Sequence, residues 1–155
     1  MKFVHIADIH FDIPFKTISD RANLGTERRL EQREALKKVI EFIKENEIEY
    51  LFISGDLYEQ EYIRESTIKY INQQFNEIPN TKIYIAPGNH DPYIKNSYYM
   101  TYKWNNNVKI FNQEVERIEN EEVDIYGFGF NNFEMKDNKI KDIKIDNKDK
   151  INILI

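Results

Sequence analysis

The segment KIYIAPGNHD at residues 82–91 joins a short apolar run to a row of polar side chains. Residues 82–86 are rich in Ile and Tyr, which is typical of a buried strand. A proline and a glycine then favour a turn, and three polar residues follow: Asn89, His90 and Asp91. Amide, imidazole and carboxylate groups bind metal ions and transfer protons, so the segment predicts a strand that ends at a functional site.

Two predicted strands and two predicted helices precede this strand and alternate along the sequence. Residues 27–46 and 63–76 carry apolar side chains three or four positions apart, with charged residues between them. Short apolar runs at 2–7 and 49–54 predict the earlier strands. The alternation of strands and helices predicts an α/β fold in which crossover helices connect a parallel sheet.

A parallel sheet brings the carboxyl ends of its strands to one edge, where ligand sites form. Asp8 and His10 follow the first strand, Asp56 follows the second, and Asn89 follows the third. Asp8 and His10 are alternate residues, so we expect them to point to the same side. Each cluster alone is a weak signal, but together they predict one site.

The second half of the chain predicts short, closely spaced strands. The runs at 107–111, 114–118 and 123–130 favour an antiparallel meander, and the last of them is apolar on both faces, which indicates a strand covered on both sides. Residues 136–150 are highly charged and indicate a solvated connector or an edge hairpin. INILI at 151–155 predicts the start of a further buried strand.

Composition restricts the chemistry. The chain has 155 residues, which suits one domain over 1–155, and 22 basic against 27 acidic residues give a net charge of -5. A protein whose whole surface binds nucleic acid is usually basic, so phosphate recognition would be local and a bound cation would supply the positive charge. Without cysteine, the available ligands suit Mn, Mg, Fe or Zn. No run predicts a membrane span or a secretion signal, so a cytoplasmic location without membrane contact is expected.

Three motifs carry a family resemblance: ADIH at 7–10, GDLYE at 55–59 and GNHD at 88–91. They resemble the first three motifs of the calcineurin-like metallophosphoesterases. The longer stretches FVHIADIHFDIPF, FISGDLYE and APGNHDPY, with TYKWNNNVKIF and the later VDIYGFGF, are similar to the branch of SbcD-type DNA repair exonucleases. The similarity spans nearly the whole chain. It implies a layered metallophosphoesterase sandwich that hydrolyses phosphodiester bonds in DNA.

The resemblance also implies a role for each residue of the site. Asp8 and His10 would bind a first metal ion, Asn89 would bind a second, and Asp56 would bridge the two. His90 would contact the phosphate or protonate the leaving oxygen, and Asp91 would orient the His90 ring. The implied cofactors are two divalent metal ions, with Mn²⁺ expected.

Later histidine motifs of the family are missing from the sequence. Its histidines are His5, His10 and His90, so three histidine ligands of the family pattern are absent. The run at 151–155 stands where the strand before the fourth motif would begin, and we therefore expect the sequence to be an N-terminal part of a longer protein. We expect this part to bind metal weakly, mostly at the first position, and to show little or no nuclease activity.

Three interpretations of the function remain open. An SbcD-type nuclease would act on DNA ends or single strands, would work with a coiled-coil ATPase subunit of the SbcC type, and would form a homodimer. A small-molecule phosphoesterase would use the same metal site on other substrates. A non-catalytic binding or scaffolding module would have lost its metal ions.

Other polar and aromatic residues have structural interpretations. His5, within the first strand, is expected to be a packed or hydrogen-bonded core residue. Asp12, Asp20 and Glu59 lie near the site in sequence. They would either support the side chains that bind metal or act as caps, and capping is the favoured role. The aromatic residues at 93–104 are expected to pack rather than to stack on bases, and the arginines of the first helix to form intrahelical ion pairs.

Overall fold

The computed structural model of the chain describes residues 1–14, 24–136, 139–145 and 147–155. Strands and helices alternate in the first half as predicted: β1 (Phe3–Ile6), α1 (Leu24–Glu45), β2 (Tyr50–Ser54), α2 (Glu65–Asn76) and β3 (Lys82–Ala86). A short helix that we did not predict, α3 (Tyr98–Thr101), follows. The second half consists of strands and a 3-10 turn: β4 (Val108–Ile110), β5 (Glu116–Glu119), β6 (Val123–Gly127), the turn Lys139–Asp142, and β7 (Ile151–Leu154).

The main sheet has the order β1-β2-β3-β4, and all of its pairs are parallel. The predicted parallel sheet with crossover helices is therefore confirmed. The prediction of an antiparallel meander was wrong for residues 107–111, because β4 pairs parallel with β3. A parallel neighbour needs a crossover connection, and the segment that contains α3 provides it.

The second sheet has the order β5-β6-β7. β5 and β6 are antiparallel, as predicted for this half of the chain, whereas β6 and β7 are parallel. Every residue of β6 is buried, which confirms the prediction of a strand covered on both sides. A strand, β7, is present where we predicted one at 151–155, but the prediction that it is buried was wrong: Ile151 and Leu154 are exposed and the two residues between them are half-buried, because β7 lies at the edge of the second sheet. The described residues between the 3-10 turn and β7 form no strand.

Apolar side chains on the two faces of the main sheet build two separate cores. Helices α1 and α2 cover one face, where Ile40 and Ile68 pack in the same cluster as Leu51. The second sheet covers the other face, where Phe52 and Ile125 belong to one cluster. The result is a layered arrangement of helices, parallel sheet and mixed sheet, as expected for a metallophosphoesterase-type fold.

His5 departs from its predicted burial. The edge strand β1 exposes Phe3 and His5, and the Phe3 side chain is 51% exposed. The His5 ring lies within hydrogen-bond distance of Ser54, with 2.9 Å between Nε2 and Oγ. The hydrogen bond agrees with the prediction, but the core position was wrong, because alternate residues of an edge strand can face solvent.

The aromatic segment at 93–104 packs against the core, as predicted: Tyr99 is buried, and Tyr93, Tyr98, Tyr102 and Trp104 pack around the same cluster. Arg28 of α1 forms the expected intrahelical pair with Glu31, at 2.7 Å. Among the helices that the structure describes, none is both long and apolar enough to cross a membrane.

Candidate metal centre

The polar segment after β1 remains attached to the loop that follows β2. The backbone N–H of Asp8 donates to Gly55 O at 3.2 Å, and that of His10 donates to Asp56 O at 2.9 Å. Phe11 N continues the series with a bond to Leu57 O at 3.0 Å. These bonds hold Asp8 and His10 beside Asp56 at the carboxyl edge of the sheet.

Left-handed backbone conformations direct the side chains of this segment. Asp8, His10 and Asp56 have φ angles of 55°, 51° and 56°. Such values are uncommon for residues other than glycine and store on the order of 1 kcal/mol or more each. β1 ends at Ile6, so Asp8 and His10 lie outside the strand. The strand alternation from which we predicted a common direction for their side chains therefore does not apply, and the left-handed turns direct these side chains instead.

Imidazole and carboxylate groups converge at this edge. His10 Nε2 lies 3.8 Å from Asp56 Oδ2 and 3.9 Å from Asp8 Oδ1. His10, Asp56 and His90 each offer a ligand atom, and these atoms lie within 4.8 Å of one another. The rings of His10 and His90 meet edge to face, with centroids 4.7 Å apart. The structure thus brings together side chains from the ends of β1, β2 and β3.

Asn89 lies in the same loop, one residue before His90, and its side chain is exposed. It makes no hydrogen bond to another residue in the described ranges. His90 itself is anchored to the cluster through its backbone, because its N–H donates to Asp56 Oδ1 at 3.0 Å. The His90 side chain remains 44% exposed, so its ring is accessible to a ligand at this edge.

Asp91 is fully buried and binds the backbone rather than the His90 ring. Its Oδ1 accepts from Asp56 N at 3.0 Å and Gly88 N at 2.7 Å, and its Oδ2 accepts from Leu57 N at 2.7 Å and Tyr99 Oη at 2.6 Å. Burial raises the pKa of Asp91 to about 6, although these four donors oppose the shift. Asp91 therefore fastens the loop after β2 to the loop after β3, and the predicted contact with the ring is not observed.

Glu59 provides the contact that was expected from Asp91. Its carboxylate lies 2.8 Å from His10 Nδ1 and 3.0 Å from His90 Nδ1. The hydrogen bond to Glu59 raises the pKa of His90, and the charges of Glu59, Asp56 and Asp91 add to the effect while burial opposes it. The capping role favoured for Glu59 was therefore wrong.

The capping role was also favoured for two other acidic residues near the motifs, Asp12 and Asp20. Asp12 Oδ2 accepts from Arg64 N at 3.1 Å, directly before the first residue of α2, which agrees with the capping role. Asp20 lies outside the described residues. The signal that could have identified Glu59 is its position three residues after Asp56 in a loop that leaves a strand end.

Gly88 allows Asp56 to approach the turn after β3. A Cβ atom at this position would lie 2.8 Å from Asp56 N and 3.0 Å from Asp56 Cγ. We expect Gly88→Ala to displace Asp56 and to lower the free energy of unfolding by about 1–3 kcal/mol, as measured by urea denaturation. Gly25→Ala is the matched control, since its Cβ would meet nothing closer than Arg29 at 3.8 Å, and alanine favours a helix. A Gly88→Ala protein as stable as the control would contradict the close approach.

The layered fold and the cluster of imidazole and carboxylate groups at the edge of its parallel sheet define a metallophosphoesterase-type protein. The chain matches the calcineurin-like phosphoesterase family over residues 1–154, and it belongs to that family. No curated protein matches the chain. Family membership assigns it to the metal-dependent phosphoester hydrolases.

Proposed function

We propose that this site hydrolyses phosphodiester bonds in DNA, in the manner of the SbcD-type nucleases that the sequence resembles. The observation that supports the proposal best is the convergence of His10, Asp56 and His90, whose ligand atoms lie within 4.8 Å of one another in a chain of a metal-dependent hydrolase family. Because the chain carries a net charge of -5, binding of phosphate must depend on local groups rather than on a basic surface.

The donor set fits a divalent cation. Imidazole nitrogen and carboxylate oxygen suit Mn²⁺ and related ions. Asp8, His10 and Asp56 would hold a first ion, while Asp56 and Asn89 would hold a second. When bound, such ions polarise a phosphoryl oxygen and activate water for attack on phosphorus. Asp8, His10 and Asp56 share left-handed backbone conformations at this edge of the sheet.

His90 is the residue of the chain that would act on the substrate. Its backbone N–H is held by Asp56 Oδ1, and its Nδ1 is held by Glu59, so Nε2 remains for a ligand. The raised pKa of His90 favours the ring form that donates from both nitrogens. That form can donate from Nε2 to a phosphate oxygen or give its proton to the leaving oxygen.

A comparison of substrates tests this proposal. The full-length protein with Mn²⁺ would be incubated with linear duplex DNA, single-stranded DNA, mononucleotides and a model phosphodiester, since little or no nuclease activity is expected of residues 1–155 alone. The proposal expects cleavage of DNA in preference to mononucleotides. Cleavage of mononucleotides alone would favour a small-molecule phosphoesterase, and no hydrolysis of any substrate despite metal binding would favour a non-catalytic module.

Calorimetry tests the metal ligands directly. We expect Mn²⁺ to bind weakly, mostly at the position of Asp8, His10 and Asp56, and two tight sites would contradict this expectation. Asp56→Asn should weaken the binding by about tenfold or more, because the amide keeps the shape but loses the charge that holds the cation. Asp12→Asn is the control, since Asp12 accepts from Arg64 N. Equal binding by the two variants would exclude Asp56 as a ligand.

The proposed partners follow the same resemblance. They are DNA ends or single strands, a coiled-coil ATPase subunit and a second copy of the chain, in the cytoplasm. Light scattering of the purified protein would test the homodimer.

A further inference from the structure

Gln32 is a polar residue on the face of α1 that otherwise packs in the core. Leu36, Ile40 and Ile43 form the buried stripe of this helix. Gln32 precedes Leu36 by four residues, so it lies on the same face, one turn nearer the start of the helix. The stripe predicts an apolar side chain here. Gln32 is half-buried, and a polar group in such a place needs hydrogen-bond partners.

The partners of Gln32 are two carbonyl groups in the segment that carries His10. Gln32 Nε2 donates to Ile9 O at 2.9 Å and to His10 O at 3.0 Å. Both acceptors are carbonyl oxygens, so the NH₂ end of the amide must face them, with one hydrogen for each. These bonds join α1 to a loop that lies 22 and 23 residues earlier in the chain. An apolar side chain of the same length would fill the space but would not donate.

The backbone of His10 is thereby bonded to two different parts of the fold. Its N–H donates to Asp56 O at 2.9 Å, in the loop after β2, whereas its carbonyl accepts from Gln32 of α1 and from Ile13 N at 3.1 Å. His10 has a φ angle of 51°. A residue other than glycine persists in this conformation only where the surrounding contacts determine it. Gln32 supplies one of these contacts from a helix.

We propose that Gln32 is a positioning residue for the candidate metal centre. It fixes the carbonyls of Ile9 and His10, and through this backbone it places the His10 ring, whose Nε2 lies 3.8 Å from Asp56 Oδ2. Its importance for metal binding rests on the proposed function, whereas the two hydrogen bonds are a property of the protein without any ligand. Loss of Gln32 should therefore loosen the set of ligands without removing a ligand atom.

Hydrogen exchange followed by nuclear magnetic resonance tests the two bonds in the wild-type protein without metal. Gln73, at an exposed position of α2, is the reference. We expect both side-chain N–H hydrogens of Gln32 to exchange about tenfold or more slowly than those of Gln73, because a bonded hydrogen exchanges only when its bond opens. Equal rates would overturn the proposal, and this measurement needs no variant.

Gln32→Met separates a positioning role from a merely structural one, because it keeps the length of the side chain and removes both donors. The backbone N–H of His10 should then exchange about tenfold faster. Leu51 lies in the centre of β2, between β1 and β3, and its N–H reports the stability of the whole sheet. The increase at His10 should exceed any change at Leu51. A parallel change at both positions, or none at His10, would contradict the positioning role. Gln73→Met is the matched control and should alter neither rate.

Calorimetry with Mn²⁺ connects Gln32 to the metal site. Outer partners of metal ligands typically contribute about 10- to 100-fold in affinity, so Gln32→Met should lose about tenfold while Gln73→Met keeps the affinity of the wild type. Unchanged affinity in a folded Gln32→Met protein would overturn the proposal. Failure of the wild-type protein to hydrolyse phosphodiesters would instead contradict the proposed function alone, because neither hydrogen exchange nor calorimetry depends on turnover.

Discussion

Replacing His90 with alanine in the full-length protein is expected to lower kcat for phosphodiester hydrolysis by about 10²–10⁴-fold while Mn²⁺ affinity stays close to that of the wild type. The ring is 44% exposed at the site, and its Nδ1 is already bound to Glu59. Nε2 is then the atom that can donate to the phosphate or to the leaving oxygen. Truncation at Cβ removes this donor but keeps the backbone N–H of His90, which donates to Asp56 Oδ1.

The matched control is His5→Ala, which also removes one of the three histidines. His5 is exposed on β1, and among the described residues its ring hydrogen-bonds with Ser54 rather than with His10, Asp56 or His90. Turnover and Mn²⁺ affinity should both stay at the wild-type level. His90 is close enough to be a metal ligand itself, because its ligand atom lies within 4.8 Å of those of His10 and Asp56. If Mn²⁺ affinity and kcat fell together in His90→Ala, His90 would be a metal ligand.

The elements that carry the site were predictable because their sequence patterns are strong. Strands β2 and β3 are short apolar runs bounded by charged or turn residues, and α2 repeats apolar residues at helical spacing. Once these elements alternate, a parallel sheet follows, and with it the meeting of polar loops at one edge. The strand β4 was misassigned because its three residues are too few to show whether they pair parallel or antiparallel.

Details within the site depend on contacts that the sequence does not encode locally. The left-handed conformations of Asp8, His10 and Asp56 are set by hydrogen bonds between loops that are distant in sequence. Asp91 follows His90 along the chain, yet its carboxylate turns inward to the backbone. Glu59 is one acidic residue among many in a charged chain. Such roles emerge only when the loops are placed together in three dimensions.

Replacing Asp91 with alanine is expected to lower the free energy of unfolding by about 3–4 kcal/mol, as measured by urea denaturation. Asp91 is fully buried and is the shared acceptor for three backbone N–H groups and the hydroxyl of Tyr99. With a pKa of about 6 it is ionised at neutral pH, which strengthens all four hydrogen bonds. Alanine would leave these donors buried without an acceptor and would release the loop after β2 from the loop after β3.

Two further variants test whether the loss of stability rises with the number of donors that lose their partner. Tyr99→Phe keeps the ring beside Tyr58 and removes one donor, so it should cost about 1 kcal/mol. Asp91→Asn keeps one oxygen, and the Tyr99 hydroxyl can turn to accept from the new NH₂ group. The N–H of Leu57 then faces another donor, so a cost of about 1–3 kcal/mol is expected. The order Tyr99→Phe, Asp91→Asn, Asp91→Ala should therefore be one of rising cost. If Asp91→Ala lowered the free energy of unfolding only slightly, the two loops would be held together by other contacts, and Asp91 would have little part in building the site.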